Sequence, residues 1–284
     1  MRFPFLAAAA VAWTLLQMAP AEAQFRAPEP PAPSPGATSD IMARALQAYT
    51  SGSDSVALGL FQRAARLGNV DAMMYLGVMY GTGRGTTKSY AAAMSWFRQA
   101  AAAGNSQAMC NIGVLYYQGL GQSKNYSDAL SWFRKSADAG NAEAMFNVGV
   151  FYRDGLGARV NDSEALAWFR KAADRGDTAA ANAIGLFYQQ GRAVPVDYEQ
   201  AMSWYLNAAG RGDATAMYNI GVLWENGLGV AADRAVAIRW YRHAAAAGDS
   251  AAKEALKSLG VATSVNSLTT GVKGVKSVPI GVKK

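Results

Sequence analysis

Along residues 142–153 the apolar side chains fall at Ala144, Val148 and Phe151/Tyr152, the stripe of an amphipathic helix. Gly155 follows, and glycine accepts the left-handed backbone that stops a helix. After a short turn the stripe resumes at Ala165, Trp168, Phe169, Ala172 and Ala173. Asn141 and Asn161 precede the two stripes, and their short side chains can accept from the free N–H groups of a first helical turn. The pattern predicts two helices, over about 142–153 and 162–174, each with a cap at its start.

The pair recurs. Gly68, Gly104, Gly140, Gly176, Gly212 and Gly248 are 36 residues apart, and Trp96, Trp132, Trp168, Trp204 and Trp240 keep the same interval. Five copies therefore run through 68–247 without an insertion or deletion. A period of this size marks stacked helical units that bury their apolar faces only against neighbours. Asn69, Asn105, Asn141, Asp177 and Asp213 are placed to cap the first helix of each unit (helix A). Ser89, Asn125, Asn161, Asp197 and Asp233 are placed to cap the second (helix B).

Gly77, Gly113, Gly149, Gly185 and Gly221 sit in the middle of helix A, where glycine costs about 1 kcal/mol relative to alanine. Such a repeated loss is offset where a neighbouring helix approaches closely, with the helix-B aromatic pair filling the space opposite. The expected fold is all-α: a right-handed α/α superhelical solenoid of 36-residue helix–turn–helix repeats.

The ends read differently. Residues 1–23 have a basic start at Arg2, an apolar run from Phe3 to Met18 and the small-x-small site Ala21-Glu22-Ala23, the pattern of a cleaved signal peptide. The Pro/Ala-rich stretch 24–39 reads as a linker, and 40–67 as a degenerate N-terminal capping repeat. A C-terminal capping helix is expected over 248–259, then a basic flexible tail, 260–284, in which Gly-Val-Lys recurs three times. That tail contributes four lysines and no acid to the net charge of +7, and the body 24–259 carries only +3. The body is not a nucleic-acid surface by composition; the tail could touch an anionic surface. Cys110 is the only cysteine, which excludes an intrachain disulfide.

Helix A reads "AM.N.GV.Y..GLG" and helix B "A..WFRKAADAG". With the 36-residue register, these motifs make the chain similar to the Sel-one-like repeat family, relatives of the tetratricopeptide repeats. The resemblance covers 68–258 and extends to 40–67, where "VALGLFQRAARLGN" keeps Ala57, Phe61, Ala64 and Ala65, with Leu60 in the tryptophan place. It implies an interaction scaffold rather than an enzyme. Many secreted members of the family carry a cysteine pair in each repeat, and this chain departs from that pattern. The departure puts in doubt any carry-over of the β-lactamase activity ascribed to cysteine-rich relatives.

Little chemistry stands beside the repeat. His243, the only histidine, takes a helix-B position held elsewhere by Gln99, Lys135, Lys171 and Asn207, which predicts a solvated residue. One histidine and one cysteine supply neither a catalytic triad nor an imidazole or thiolate metal site, so no catalytic, metal or cofactor residue is assigned. Cys110 reads as a small apolar residue at a variable position.

The varied positions are more informative. On a helical wheel of helix A they lie opposite the recurring stripe, in an arc that lines a peptide-holding groove in tetratricopeptide relatives. The resemblance thus implies a partner surface of Met74, Tyr75, Asn111, Phe146, Asn147, Arg153, Tyr218 and Asn219. Here the asparagines would pair with a peptide backbone, the apolar residues would anchor it and Arg153 would meet an acidic group. A fourth varied row holds Asp71, Gln107, Glu143, Ala179 and Thr215. The expected function is that of an exported, periplasmic or secreted adaptor or regulator, binding another envelope or secreted protein or an extended peptide segment of one. An envelope enzyme acting on peptidoglycan or a β-lactam is the alternative, and delivery to a host target a third.

Overall fold

The computed structural model describes residues 36–262, and the expected signal peptide, most of the expected linker and nearly all of the expected basic tail lie outside them. Thirteen helices and no strand occur among the described residues: α1 Ala37–Thr50, α2 Asp54–Arg66, α3 Val70–Thr82, α4 Tyr90–Ala102, α5 Ser106–Gln118, α6 Tyr126–Asp138, α7 Ala142–Asp154, α8 Asp162–Asp174, α9 Thr178–Gln190, α10 Tyr198–Ala209, α11 Ala214–Asn226, α12 Arg234–Ala246 and α13 Ser250–Ser258. The predicted pair over 142–174 agrees with α7 and α8 to within one residue. Capping is as the pattern requires: Asn141 Oδ1 accepts from Ala144 N at 2.8 Å, and Asn161 Oδ1 from Glu164 N at 3.1 Å. No described helix is long and apolar enough to cross a membrane.

The chain divides into two compact units between Asn207 and Ala208, inside α10. In the first, each helix from α1 to α9 packs on the next, and α3 also touches α5. In the second, α11 packs on α12 and α12 on α13 around Ala237, Tyr241, Ala244, Ala252 and Leu256.

The mid-helix glycines have the packing reason anticipated, and one ring supplies it. A Cβ on Gly149 would lie 2.6 Å from the Phe169 ring, and one on Gly113 2.7 Å from the Phe133 ring. Gly185 and Gly221 meet Tyr205 and Tyr241 in the same way, each at 2.5 Å. The aromatic pair thus divides its work: the second ring is fully buried against the glycine, while the tryptophan before it stays half-buried on the flank.

Phenylalanine gives way to tyrosine only where an amide or carboxylate oxygen stands across the seam. Tyr205 donates to Gln189 Oε1 at 2.6 Å and Tyr241 to Glu225 Oε2 at 2.5 Å, while Phe97, Phe133 and Phe169 face Gly81, Tyr117 and Arg153 at that register.

Burial sets a limit at high pH. It pushes the Tyr75 phenol up to about 12, with the Tyr49 and Asp71 charges adding to it. Burial also raises Tyr205, and raises Tyr241 together with its bond to Glu225. A raised phenol keeps its proton in the folded chain after the unfolded chain has lost it. Its contribution is complete below pH ~10 and is lost as pH climbs through 10 toward the folded value. Tyr75 alone accounts for about 2–3 kcal/mol by pH 12. The part of the tyrosinate absorbance that belongs to these buried rings should therefore appear only with the loss of helical circular dichroism above pH ~10, and a tyrosinate rise that is complete while the helices persist would contradict this.

One loop carries strain. Gly155 ends α7 at φ 70°, and Gly157 beyond it holds φ 67°. A Cβ on Gly157 would lie 2.5 Å from the Tyr126 carbonyl oxygen. One repeat later this register holds Ala193, at φ 59° and with a Cβ. Ala193→Gly should stabilise the chain by about 1 kcal/mol, raising Tm by ~2–4 °C; an unchanged or lower Tm would show the loop is relaxed with alanine.

Candidate functional site: helix A and the faces around it

Five of the eight residues expected on an open groove are buried instead: Met74 and Asn111 are 0 % exposed, Tyr75 2 %, Asn147 7 % and Arg153 9 %. Phe146 is half-buried, as are Tyr218 and Asn219 in the second unit. The expectation of an exposed arc is corrected, and the reason is layering. In the first unit helix A lies against its own helix B and against the preceding helix B, and α3 also lies against α5, the helix A of the next repeat. The arc opposite the recurring stripe is a second packing face.

The side chains on that arc satisfy one another. Asn111 Nδ2 points at Met74 Sδ (3.5 Å), and Asn147 Nδ2 at Cys110 Sγ (3.8 Å), so each carboxamide donates to a sulfur of the preceding repeat. Tyr75 stacks on Phe61 with ring centroids 4.8 Å apart. Phe146 lies 5.6 Å from Phe169, and Tyr218 5.4 Å from Tyr241. Arg153 forks onto Asp154 at 2.6 and 2.7 Å, an ion pair beside the helix end. Burial pushes the Cys110 thiol well above its usual range, which suits a packing residue and not a nucleophile. His243 is exposed, as its register predicts.

What stays open on helix A is its first turn, where the fourth varied row emerges half-buried. Asn105 Nδ2 reaches Asp71 Oδ1 at 3.3 Å, and Asn141 Nδ2 reaches Gln107 Oε1 at 2.9 Å. Gln107 Nε2 in turn reaches Glu143 Oε2 at 3.3 Å. The caps Asn105 and Asn141 therefore do two jobs: the carbonyl oxygen closes a helix start, and the NH₂ group ties one repeat to the one before. The result is a row of amides and carboxylates across three repeats. The row is one of the four varied positions in the sequence, although the expected groove used its neighbours. The available signal was its persistent polarity from Asp71 through Glu143, where the rows beside it alternate with Met, Cys and Phe.

A second open feature lies on helix B. Ser127, Ser131, Arg134, Lys135 and Asp138 of α6, with Gly157 and Ala158 of the loop after α7, line a shallow cleft of about 390 Å³. Among the described residues no group of three or more His, Cys, Asp or Glu is placed to hold a metal ion.

The Sel1 repeat family matches residues 49–69, 70–105, 106–141, 142–177, 178–213 and 214–249. The chain is similar to the crystal structure of a Sel1 repeat protein from Oxalobacter formigenes, at 33% identity and a TM-score of 0.73, over 76% of this chain and 89% of that one. It is also similar to c5321, a protective antigen present in uropathogenic Escherichia coli strains displaying an SLR fold. The identity there is 29% and the TM-score 0.65, over 80% of this chain and 52% of that one, so it spans about half of that protein. The immunity protein PA5088 from Pseudomonas aeruginosa shares the fold, at 17% identity and a TM-score of 0.52, over 76% of this chain and 83% of that one. No curated protein matches the chain. An uninterrupted 36-residue register, capped helix pairs and a glycine–ring seam in every full copy have one consistent reading: this chain belongs to the Sel1 repeat family, as an all-α repeat solenoid.

Proposed function

We propose that the protein is an exported, non-catalytic scaffold of the bacterial envelope that holds a segment of another envelope or secreted protein. The observation that carries this reading is the half-exposed row Asp71, Gln107 and Glu143, held in place across three repeats by Asn105 and Asn141. Amides and carboxylates fixed in this way offer donors and acceptors to a peptide backbone with little ordering cost. The groove residues named from the sequence then support that row from beneath. The leader pattern of residues 1–23 supports the reading of a scaffold outside the cytoplasm, in periplasmic or secreted form. The protective-antigen description of the c5321 relative fits a family member met outside the cell.

The test is site-specific photo-crosslinking in cells that export the protein. A photoreactive residue at Gln107 or Glu143 should capture a discrete protein adduct in the envelope or secreted fraction. The same residue at the exposed helix-B position Ser203 should not. Adducts of equal strength at all positions, or none at Gln107 and Glu143, would overturn the reading.

A further inference from the structure

The helix-B faces of the first unit carry a second repeated feature, distinct from the Asp71–Glu143 row. Arg98, Arg134 and Arg170 occupy one register, all exposed, and each is positioned by a tyrosine of the following helix A. Arg98 Nη2 lies 3.3 Å from the Tyr116 hydroxyl, and Arg170 Nη2 3.0 Å from the Tyr188 hydroxyl. The Arg134 guanidinium sits 5.2 Å from the centre of the Tyr152 ring. Lys135 and Lys171 stand beside them, drawn over the Trp132 and Trp168 rings at 4.4 and 3.9 Å.

We propose that these arginines form a docking surface for an extended acidic peptide segment, with its main seat in the cleft at Arg134. A guanidinium held by a tyrosine loses less freedom when it grips a carboxylate, and its remaining N–H groups offer a fork that a carboxylate matches. In the cleft the Ser127 and Ser131 hydroxyls supply further donors beside Arg134 and Lys135. At the Arg98 register Ala91 and Gln99 replace Ser127 and Lys135, and at the Arg170 register Ala167 replaces Ser131.

The acids nearby define the ligand class. Asp138 lines the cleft one turn beyond Arg134, and Asp174 follows Arg170 at the same interval. They repel a dense polyanion such as a nucleic acid, yet leave room for single carboxylates that fall on each arginine. The arginines stand on α4, α6 and α8, with a helix A packed between each successive pair, so a matching peptide carries its carboxylates spaced rather than contiguous. An extended chain rises about 3.3 Å per residue, and Glu at every third position sets the carboxylates about 10 Å apart.

The experiment titrates the isotope-labelled full chain, at low ionic strength, with a nine-residue peptide bearing Glu at positions 1, 4 and 7 among Ser and Gly. Nuclear magnetic resonance of arginine Nε–Hε groups is the readout, assigned by Arg→Lys variants. The Arg98, Arg134 and Arg170 signals should shift together, and that of buried Arg153 should stay. Arg134→Gln should weaken binding about fivefold, and the triple Arg→Gln variant should abolish it. These side chains are exposed, so circular dichroism should be unchanged in every variant.

Three outcomes would overturn the proposal: no shift with the spaced peptide, equal shifts with a Gln-substituted peptide, or tighter binding of three contiguous glutamates or of an oligonucleotide. Crosslinking at Gln107 is independent of this result, so the two surfaces can fail separately.

Discussion

Gly149→Ala is expected to destabilise the chain by about 3 kcal/mol, although alanine is the better helix former. The new Cβ would lie 2.6 Å from two carbons of the Phe169 ring and 3.2 Å from the Ala165 carbonyl oxygen. Phe169 is fully buried and packs edge-on to Phe187 with centroids 5.5 Å apart, so it cannot move without opening the next seam. Overpacking of a closed site costs about 1–3 kcal/mol, and the backbone contact leaves little room for relief.

Gly59→Ala is the control. Gly59 also sits inside a helix, but nothing lies within 4 Å of its added Cβ, so the same change should stabilise by about 0.5–1 kcal/mol. Denaturant midpoints moving in opposite directions would support the reading. A Gly149→Ala protein as stable as the parent would show that close approach does not explain the recurring glycine. Phe169→Leu, which frees space at the ring edge, should recover part of the loss in the double variant.

The fold was legible because its determinants are local or periodic. Asn141 and Asn161 caps, the stop at Gly155 and the mid-helix glycines each act within one repeat, and the 36-residue register multiplied them. The groove was misplaced because a helical wheel gives faces, not neighbours. Asn111 looks like a ligand contact until the repeat before it brings Met74 Sδ within 3.5 Å.

Pairings between repeats were likewise hidden. Arg84 holds Asp54 (Nη2–Oδ1 2.5 Å) and donates to the Tyr49 carbonyl oxygen at 2.8 Å. Arg192 makes the same ion pair with Asp162 and reaches the Arg153 carbonyl oxygen at 3.4 Å. In the two repeats between them these positions read Leu120 with Tyr90 and Leu156 with Tyr126, all packed on the apolar core. Partners 30 residues apart change together, polar for polar and apolar for apolar. Only the fold brings the two members of each pair side by side.

Asn147→Ala and Cys110→Phe should each be costly alone and nearly harmless together. Cys110 is fully buried, with Asn147 Nδ2 3.8 Å from its sulfur. Asn147→Ala removes that donor and leaves a void beside a small side chain, for about 2 kcal/mol. Cys110→Phe forces a ring into a filled site, for about 2–3 kcal/mol.

The next repeat holds the rearranged pair already: Phe146 stands at the Cys110 register and Ala183 at the Asn147 register, with Phe146 packed on Phe169. The ring at the corresponding place for residue 110 is Phe133, so the double variant rebuilds an arrangement this fold accepts one repeat away. A double-mutant cycle by chemical denaturation should give a favourable coupling of about 3 kcal/mol and a double variant within ~1 kcal/mol of the parent. Additive losses would mean that the two residues do not share one volume. The varied letters of helix A would then need a role other than packing between repeats.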